Sequence, residues 1–155
     1  MRLEFFELID RVEQIDLDAL TIQVSGVLPQ ESPVFDGHFP RFPCLPGVMM
    51  LEFMNHAAGY LLLRKQDCTH FIFLGQVRRS KFRRFVLPGD TMIVDAKITH
   101  EGSGYSIAET SVRVKGEVAA DAEVVMIGTE FPTAELAEEI RRRVALIPVK
   151  DETAA

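Results

Sequence analysis

Residues 37–59 read G-H-F-P-R-F-P-C-L-P-G-V-M-M-L-E-F-M-N-H-A-A-G, and this stretch decides the fold. Prolines recur at every third position, as Pro40, Pro43 and Pro46. Because proline fixes φ, lacks a backbone donor and disfavours helical geometry in the residue before it, residues 39–45 are predicted to form a stiff, non-helical loop. Proline suits the first position of a helix, so a helix is predicted over residues 48–63.

This predicted helix is apolar around nearly its whole circumference. Such a helix is usually buried. Only Glu52, Asn55 and His56 interrupt it, and the four-residue spacing of Glu52 and His56 places them on one face. A carboxyl group in apolar surroundings is expected to have a raised pKa and to keep its proton near neutral pH. The same polar residues, and the shortness of the apolar run, argue against a membrane span.

Composition indicates an ordinary globular domain. The chain has 155 residues, enough for one domain with its own core, and we assign residues 1–155 to a single domain with a core over about 8–129. Its formal net charge of −6 argues against nucleic acid as a partner. Cys44 and Cys68 lack metal-ligand spacing, so no metal is predicted and reduced thiols in a cytoplasmic protein are expected. The N-terminus carries no signal-peptide pattern.

Alternating apolar residues predict strands on both sides of the helix. Residues 9–15 and 20–28 are predicted to form a hairpin, and residues 71–84, 91–99, 105–115 and 118–129 a four-strand antiparallel meander. A short helix is predicted over residues 132–143, followed by a frayed polar tail after Pro148. The expected class is α+β, with an antiparallel sheet wrapped around one long central apolar helix.

The motif G-H-F-P-x-x-P-x-x-P-G-V-x-x-x-E is complete from Gly37 to Glu52. It resembles the motif of the 3-hydroxyacyl-acyl-carrier-protein dehydratases of the FabZ type, in the hot-dog superfamily. Two flanking segments resemble the same family: D-R-V at 10–12, and K-F-R-R-F-V-L-P-G-D at 81–90. A gapless motif with two flanking signatures in order is specific evidence.

The resemblance implies a fold, a reaction and an assembly. The fold would be the hot dog and the smallest unit a dimer, as a homodimer or a trimer of dimers. The enzyme would be a hydro-lyase that converts (3R)-hydroxyacyl groups, carried on the phosphopantetheine arm of acyl carrier protein, to trans-2-enoyl thioesters in fatty acid or specialised lipid synthesis such as that of lipid A. His38 would remove the C2 proton, Glu52 of the other subunit would protonate the leaving 3-hydroxyl, and the Gly47 amide would hold the thioester oxygen.

These residue types fit the chemistry of dehydration. Imidazole is neutral near pH 7 and can act as the base, and a desolvated carboxyl can still hold the proton that the leaving hydroxyl needs. A helix N-terminus can stabilise charge on the thioester oxygen, so no cofactor is required beyond the carrier's arm. Substrate contacts are predicted at Phe39, Pro46, Val48 and His56. Asn55 and His56 depart from the family pattern, which usually has Gln at position 56, and leave the acyl chain length open.

A basic run interrupts the acidic chain at Arg78, Arg79, Lys81, Arg83 and Arg84. Cations on an edge strand protect it from aggregation, which is one interpretation of the run. Docking of an acidic carrier protein is the other, and it is the one we favour.

Two alternative functions remain at this stage. One is a hot-dog thioesterase, which would hydrolyse the thioester, and the histidine-bearing proline loop argues against it. The other is a non-catalytic acyl-binding subunit of a heteromeric dehydratase. The presence of both His38 and Glu52 argues against that second alternative.

Overall fold

A computed structural model of the protein describes residues 1–153, with side chains described through residue 150. The helices are α1 (Pro33–Gly37), α2 (Gly47–Lys65) and α3 (Ala134–Leu146). The strands are β1 (Arg11–Asp16), β2 (Thr21–Val27), β3 (Phe71–Phe82), β4 (Thr91–Gly102), β5 (Tyr105–Val114), β6 (Glu117–Thr129) and β7 (Val149–Thr153). A single 3-10 turn, Leu3–Phe5, precedes β1.

Within residues 1–153, the seven strands form one sheet in the order β3-β6-β5-β4-β2-β1-β7. Every neighbouring pair is antiparallel except β1 and β7, which run parallel. Helix α2 packs against the strands from β2 to β6. The predicted class, an α+β sheet around one long helix, is confirmed.

The prediction of a four-strand meander is wrong at its first strand. Strand β3 pairs with β6, whereas β4 pairs with β5 and with β2. The connection over residues 83–90 joins β3 to β4, which are not neighbours in the sheet. It is held against the fold at Val86, which is buried and whose O accepts a hydrogen bond from Leu45 N–H at 2.8 Å. Sequence neighbours pair in only about two-thirds of cases, so a local pattern could not show this crossing.

The core lies between the concave face of the sheet and α2. Strand β4 shows the predicted alternation, since Met92, Val94, Ala96 and Ile98 are all buried. Helix α2 contributes the large side chains Phe53, Met54, Leu61 and Leu62, each fully buried. Burying such a side chain contributes about 1.5–3 kcal/mol, so these two elements supply much of the stability.

Helix α2 is not buried on every side, contrary to the sequence-based expectation. The sheet covers one side, while a stripe from Glu52 to Leu63 is half-buried and Val48 is 71% exposed. No helix in the described part of the chain is both long enough and apolar enough to cross a bilayer. The half-buried stripe is the side of α2 that the sheet leaves uncovered.

The C-terminal segment is more ordered than predicted. Helix α3 begins after Thr133, whose hydroxyl accepts a hydrogen bond from Leu136 N–H at 3.2 Å, and ends three residues later than expected. The predicted frayed tail is wrong over residues 149–153, because β7 pairs with β1 and Val12 N–H donates to Pro148 O at 2.8 Å. The pairing covers what would otherwise be an open sheet edge. Residues 154–155 lie outside the described residues.

Candidate active site

His38 is placed by a short helix that the sequence did not predict. Helix α1 begins with Pro33 at its first position, and Ser32 Oγ accepts a hydrogen bond from Val34 N–H at 3.3 Å. This is a typical helix start, in which a side chain satisfies an unpaired donor. His38 follows α1 directly, and its N–H donates to Val34 O at 3.1 Å. The end of α1 therefore fixes where the histidine enters the loop.

The loop after His38 is rigid and non-helical, as predicted. Cys44 N–H donates to His38 O at 3.0 Å, which closes the loop on itself. Leu45 N–H donates to Val86 O, and both Cys44 and Leu45 are buried. The loop is thus tied at its end to the β3–β4 connection. Cys44 and Cys68 are free thiols, as predicted, and both are buried.

A backbone carbonyl fixes the tautomer of His38. The ring Nδ1 lies 3.0 Å from Cys44 O. A carbonyl oxygen can only accept, so Nδ1 carries the hydrogen and the neutral ring has its lone pair on Nε2. The ring is half-buried and stacks on Phe39 with centroids 4.2 Å apart. Sequence reasoning could not find the role of Cys44, because any residue can supply a carbonyl.

Exposed apolar side chains surround the histidine loop. The rings of Phe42 and Phe85 pack edge to face with centroids 5.3 Å apart, although both are exposed. An exposed apolar cluster of this kind marks an interaction site. We call it the aromatic patch, and its members are Phe39, Phe42, Val48, Phe82 and Phe85.

Gly47 is the first residue of α2, at the helix end next to the histidine loop. The first N–H groups of a helix have no partner inside the helix, and the preceding Pro46 offers no side-chain cap. A Cβ atom on Gly47 would lie 3.3 Å from the ring of Phe82. The helix start is therefore closely packed yet presents amide donors, and its dipole favours negative charge there.

Glu52 lies in the second turn of α2 and is held by the same helix. Its Oε1 is 3.0 Å from His56 Nε2, and its Oε2 accepts a 3.4 Å hydrogen bond from Asn55. The hydrogen bond from His56 lowers the pKa of Glu52 below its usual value, and half-burial opposes this only in part. The expected raised pKa is therefore wrong for the single chain. The side chain is 31% exposed, so burial is too slight to keep it protonated.

The predicted catalytic groups form two separate clusters within one chain. Glu52, Asn55 and His56 line a groove of about 780 Å³ between residues 52–63 of α2 and residues 140–146 of α3, which we call the α2–α3 groove. His38 and Gly47 are not among the described residues that line it. The structure thus places His38 on the loop that leads to the N-terminus of α2, and the carboxyl group of Glu52 against His56.

The basic run lies along β3 and the connection after it, at an edge of the sheet. Its arginines form ion pairs with acids of the neighbouring strand β6: Arg78 and Arg79 with Glu123, Arg83 with Asp121, and Arg84 with Glu117. Among the described residues, Lys81 has no such carboxylate partner. Most of the positive charge is therefore balanced locally.

An antiparallel sheet curved around one long helix defines the hot-dog class of protein, and similar solved structures share the fold. The dehydratase heterocomplex ApeI:P from Xenorhabdus doucetiae aligns with a TM-score of 0.58 and 20% identity over 70% of this chain and 88% of that chain. The PaaI protein of E. coli aligns with a TM-score of 0.56 and 14% identity, over 70% and 72% of the two chains. At these identities the likeness concerns the fold alone.

Sequence comparison gives the family. The FabA-like domain model matches residues 2–123. The 3-hydroxyacyl-[acyl-carrier-protein] dehydratase FabZ of Rickettsia akari is 39% identical over 118 residues, which are 75% of this chain and 81% of the relative. That of Rickettsia canadensis is 37% identical, with 75% and 82% covered. The chain belongs to the FabA-like family, and the resemblance to the FabZ dehydratases is confirmed; α3 and β7 lie beyond the matched domain.

Proposed function

We propose that the protein is a hydro-lyase that removes water from (3R)-3-hydroxyacyl groups on acyl carrier protein, giving trans-2-enoyl thioesters for fatty acid biosynthesis. Its relatives carry the name of that enzyme over most of the chain. The observation that carries the proposal is the His38 ring. Its Nδ1–H is held by Cys44 O, which leaves Nε2 as a base near the N-terminus of α2.

The reaction follows from three groups. His38 Nε2 takes the C2 proton, and the electron pair of that C–H bond forms the C2=C3 double bond. The C3–O bond breaks, and the departing hydroxyl takes a proton from Glu52 to leave as water. The Gly47 amide donates to the thioester oxygen while negative charge develops there. Every step is carried by side chains or amides of this protein, and the carrier's arm only delivers the substrate.

Glu52 must hold a proton to act as the acid, although its pKa is lowered in the single chain. Filling the α2–α3 groove with substrate, while a second subunit covers its end at Glu52, would remove water from this carboxyl group. Desolvation raises the pKa of a carboxyl group, against the effect of His56. The acid is therefore expected to form only in the assembled, substrate-bound enzyme.

We further propose a dimer in which His38 of one copy faces Glu52 of the other. Strand β3 is a twelve-residue edge strand with the exposed aromatic side chains Phe73 and Phe82. Long exposed edges attract pairing with another strand, and self-pairing across a two-fold axis is the simplest way to cover one. The two clusters of catalytic groups, separate within one chain, would then complete each other.

Carrier protein is proposed to dock beside β3. Exposed ion pairs contribute only about 0–1 kcal/mol, so an acidic partner can take the arginines of the basic run from their present carboxylates. Lys81 is available without such an exchange. Opposite charges on the two partners would mainly increase the rate of encounter.

An assay with carrier-bound substrates tests the reaction. The purified protein is offered 3-hydroxyacyl-, enoyl- and saturated acyl-carrier protein while enoyl absorbance and free thiol are followed. Reversible formation of the enoyl group without release of thiol is expected. Release of thiol would indicate a thioesterase instead, and the absence of turnover on all three substrates would indicate a non-catalytic acyl-binding subunit.

A further inference from the structure

We propose that the α2–α3 groove holds the acyl tail of the substrate and that α3, which lies beyond the matched domain, sets the tail length that the enzyme accepts. This inference rests on the proposed function. It concerns a segment, residues 134–150, that the family match over residues 2–123 does not include. Helix α3 would then limit the length of the acyl chains that this enzyme accepts.

One face of α2 forms the base of the groove, and that face starts at the proposed acid. The groove-lining positions on α2 are Glu52, Asn55, His56, Gly59, Tyr60 and Leu63. Their spacing is that of a single helix face. At about 1.5 Å per residue, the eleven steps from Glu52 to Leu63 extend roughly 16 Å. A tail leaving the reacting carbons at Glu52 can therefore lie along the helix.

Gly59 leaves the middle of this face open. A Cβ atom built on Gly59 would have no neighbouring atom within 4 Å. Tyr60, the next residue, is buried and turns its hydroxyl towards α3, where it donates to Val144 O at 3.5 Å. Space above a helix face that lacks a side chain is what an apolar chain needs in order to pass.

Helix α3 closes the groove on the opposite side. Ile140, Val144 and Ile147 line it and are all half-buried. The segment is fixed beyond its end, because β7 pairs with β1. At the end of the groove away from Glu52, the start of β3 contributes Phe71 and Ile72, which are also half-buried.

Each of the arginines at the groove already contacts a carboxylate of the chain, which favours an uncharged hydrocarbon as the occupant. Arg2 pairs with Glu7 at 2.6 Å, and Arg142 and Arg143 pair with Glu139 at 2.8 and 2.7 Å. The volume, about 780 Å³, falls within the range of small-molecule sites, which are mainly apolar with a few polar groups at one place. Here Glu52 and His56 lie at the end of the groove where the reacting carbons would lie.

The test is a chain-length series on variants that fill the groove from each side. Gly59→Leu fills it from α2, and Val144→Phe fills it from α3. Ala145→Leu is the matched control, because Ala145 is exposed on α3 and does not line the groove. For each protein, kcat/KM is measured with 3-hydroxyacyl-carrier substrates from short to long, and the mass is measured by light scattering.

Both groove variants are expected to lose about tenfold or more of kcat/KM on the longest substrates, since one methylene in an apolar pocket changes selectivity by that order. Their activity on the shortest substrates should stay within about twofold of wild type, and the control should match wild type throughout. An unchanged length profile in both variants, or an equal loss at all lengths, overturns the inference. So does an altered mass in either groove variant, since the groove would then be a subunit contact. Dehydration of short substrates by the wild type tests the proposed function by itself, whichever chain lengths the variants accept.

Discussion

A single hydrogen bond determines how His38 can react. The Nδ1–H is donated to the backbone oxygen of Cys44, and the Cys44 Sγ also lies 3.6 Å from Nδ1. The loop that supplies this carbonyl is closed by the Cys44 N–H bond to His38 O. The orientation and the tautomer of the His38 ring are thus both set within the same short loop.

Replacement of His38 by Ala is expected to reduce kcat by about 100- to 10,000-fold, the usual contribution of a general base. Dehydration is followed by enoyl absorbance, and thermal unfolding serves as the control for folding. The melting temperature should stay near that of wild type, because the ring is half-buried and its polar contacts with the loop are confined to Cys44, at 3.0 Å from the backbone oxygen and 3.6 Å from Sγ. Retention of near wild-type kcat would show that His38 is not the base.

Asp90 is a structural carboxylate whose effect depends on pH. Burial raises its pKa, but hydrogen bonds from Lys115 at 2.8 Å and from Leu87 N–H at 2.9 Å outweigh burial and hold the pKa below its usual value. The folded pKa is below the unfolded one, which is about 3.9. Its contribution to stability is therefore full above that pH and is lost as pH falls through the folded pKa.

The Asp90→Asn variant should accordingly be less stable by about 1–3 kcal/mol at neutral pH, the usual effect of breaking a buried charged hydrogen bond. Urea unfolding of both proteins at several pH values measures the difference. The gap between them should narrow below about pH 4. A gap that stays constant across that range would mean that the charge of Asp90 contributes nothing.

At the scale of elements, Gly59 lowers the stability of α2, because glycine has a low helix propensity, and it leaves open space beside the helix. Replacing it with Ala should stabilise the protein by about 1 kcal/mol, the difference in helix propensity between the two residues. Gly104 is the matched control, because a Cβ there also meets no atom within 4 Å but its φ is +82°. Gly104→Ala should therefore destabilise the protein. Thermal unfolding separates the two, and equal shifts would contradict the role given to backbone geometry.

The sequence analysis predicted correctly the elements that depend on residues close together in the chain. The proline loop, α2 and the alternation of β4 follow from residues a few positions apart. Pairing of β3 with β6 and of β7 with β1 could not be predicted, because both join segments distant in sequence. The lowered pKa of Glu52 was missed for a different reason: the spacing of His56 was visible, but how little the sheet covers this face of α2 was not.

At the scale of the whole molecule, three surfaces that the rest of the chain leaves uncovered lie near one another in the chain and indicate an interface with a second copy. They are the β3 edge, the aromatic patch and the Glu52 end of the half-buried stripe of α2. Each alone is common on protein surfaces, but together they leave the base and the acid on surfaces that a second copy can join. The proposed dimer accounts for all three with one interface.

The dimer itself is expected to be detectable by light scattering at micromolar concentration. Lys substitution of Phe82, which is exposed at the end of β3, places a charge in the proposed interface and should shift the protein towards monomer with loss of activity. Phe5→Lys, at a similarly exposed ring remote from β3 in the chain, is the control and should leave the mass unchanged. A wild-type protein that is a stable, active monomer would exclude a site shared between subunits.

The most direct measurement mixes two inactive variants. His38→Ala keeps Glu52, and Glu52→Gln keeps His38, so each homodimer lacks one group in both of its sites. Co-expression with two different affinity tags allows the mixed dimer to be isolated and its dehydratase activity measured. If the site is shared, one of its two sites contains both His38 and Glu52, and activity should return to about half that of wild type. If the mixed dimer is as inactive as its parents, His38 and Glu52 do not meet across the interface and the shared site is wrong.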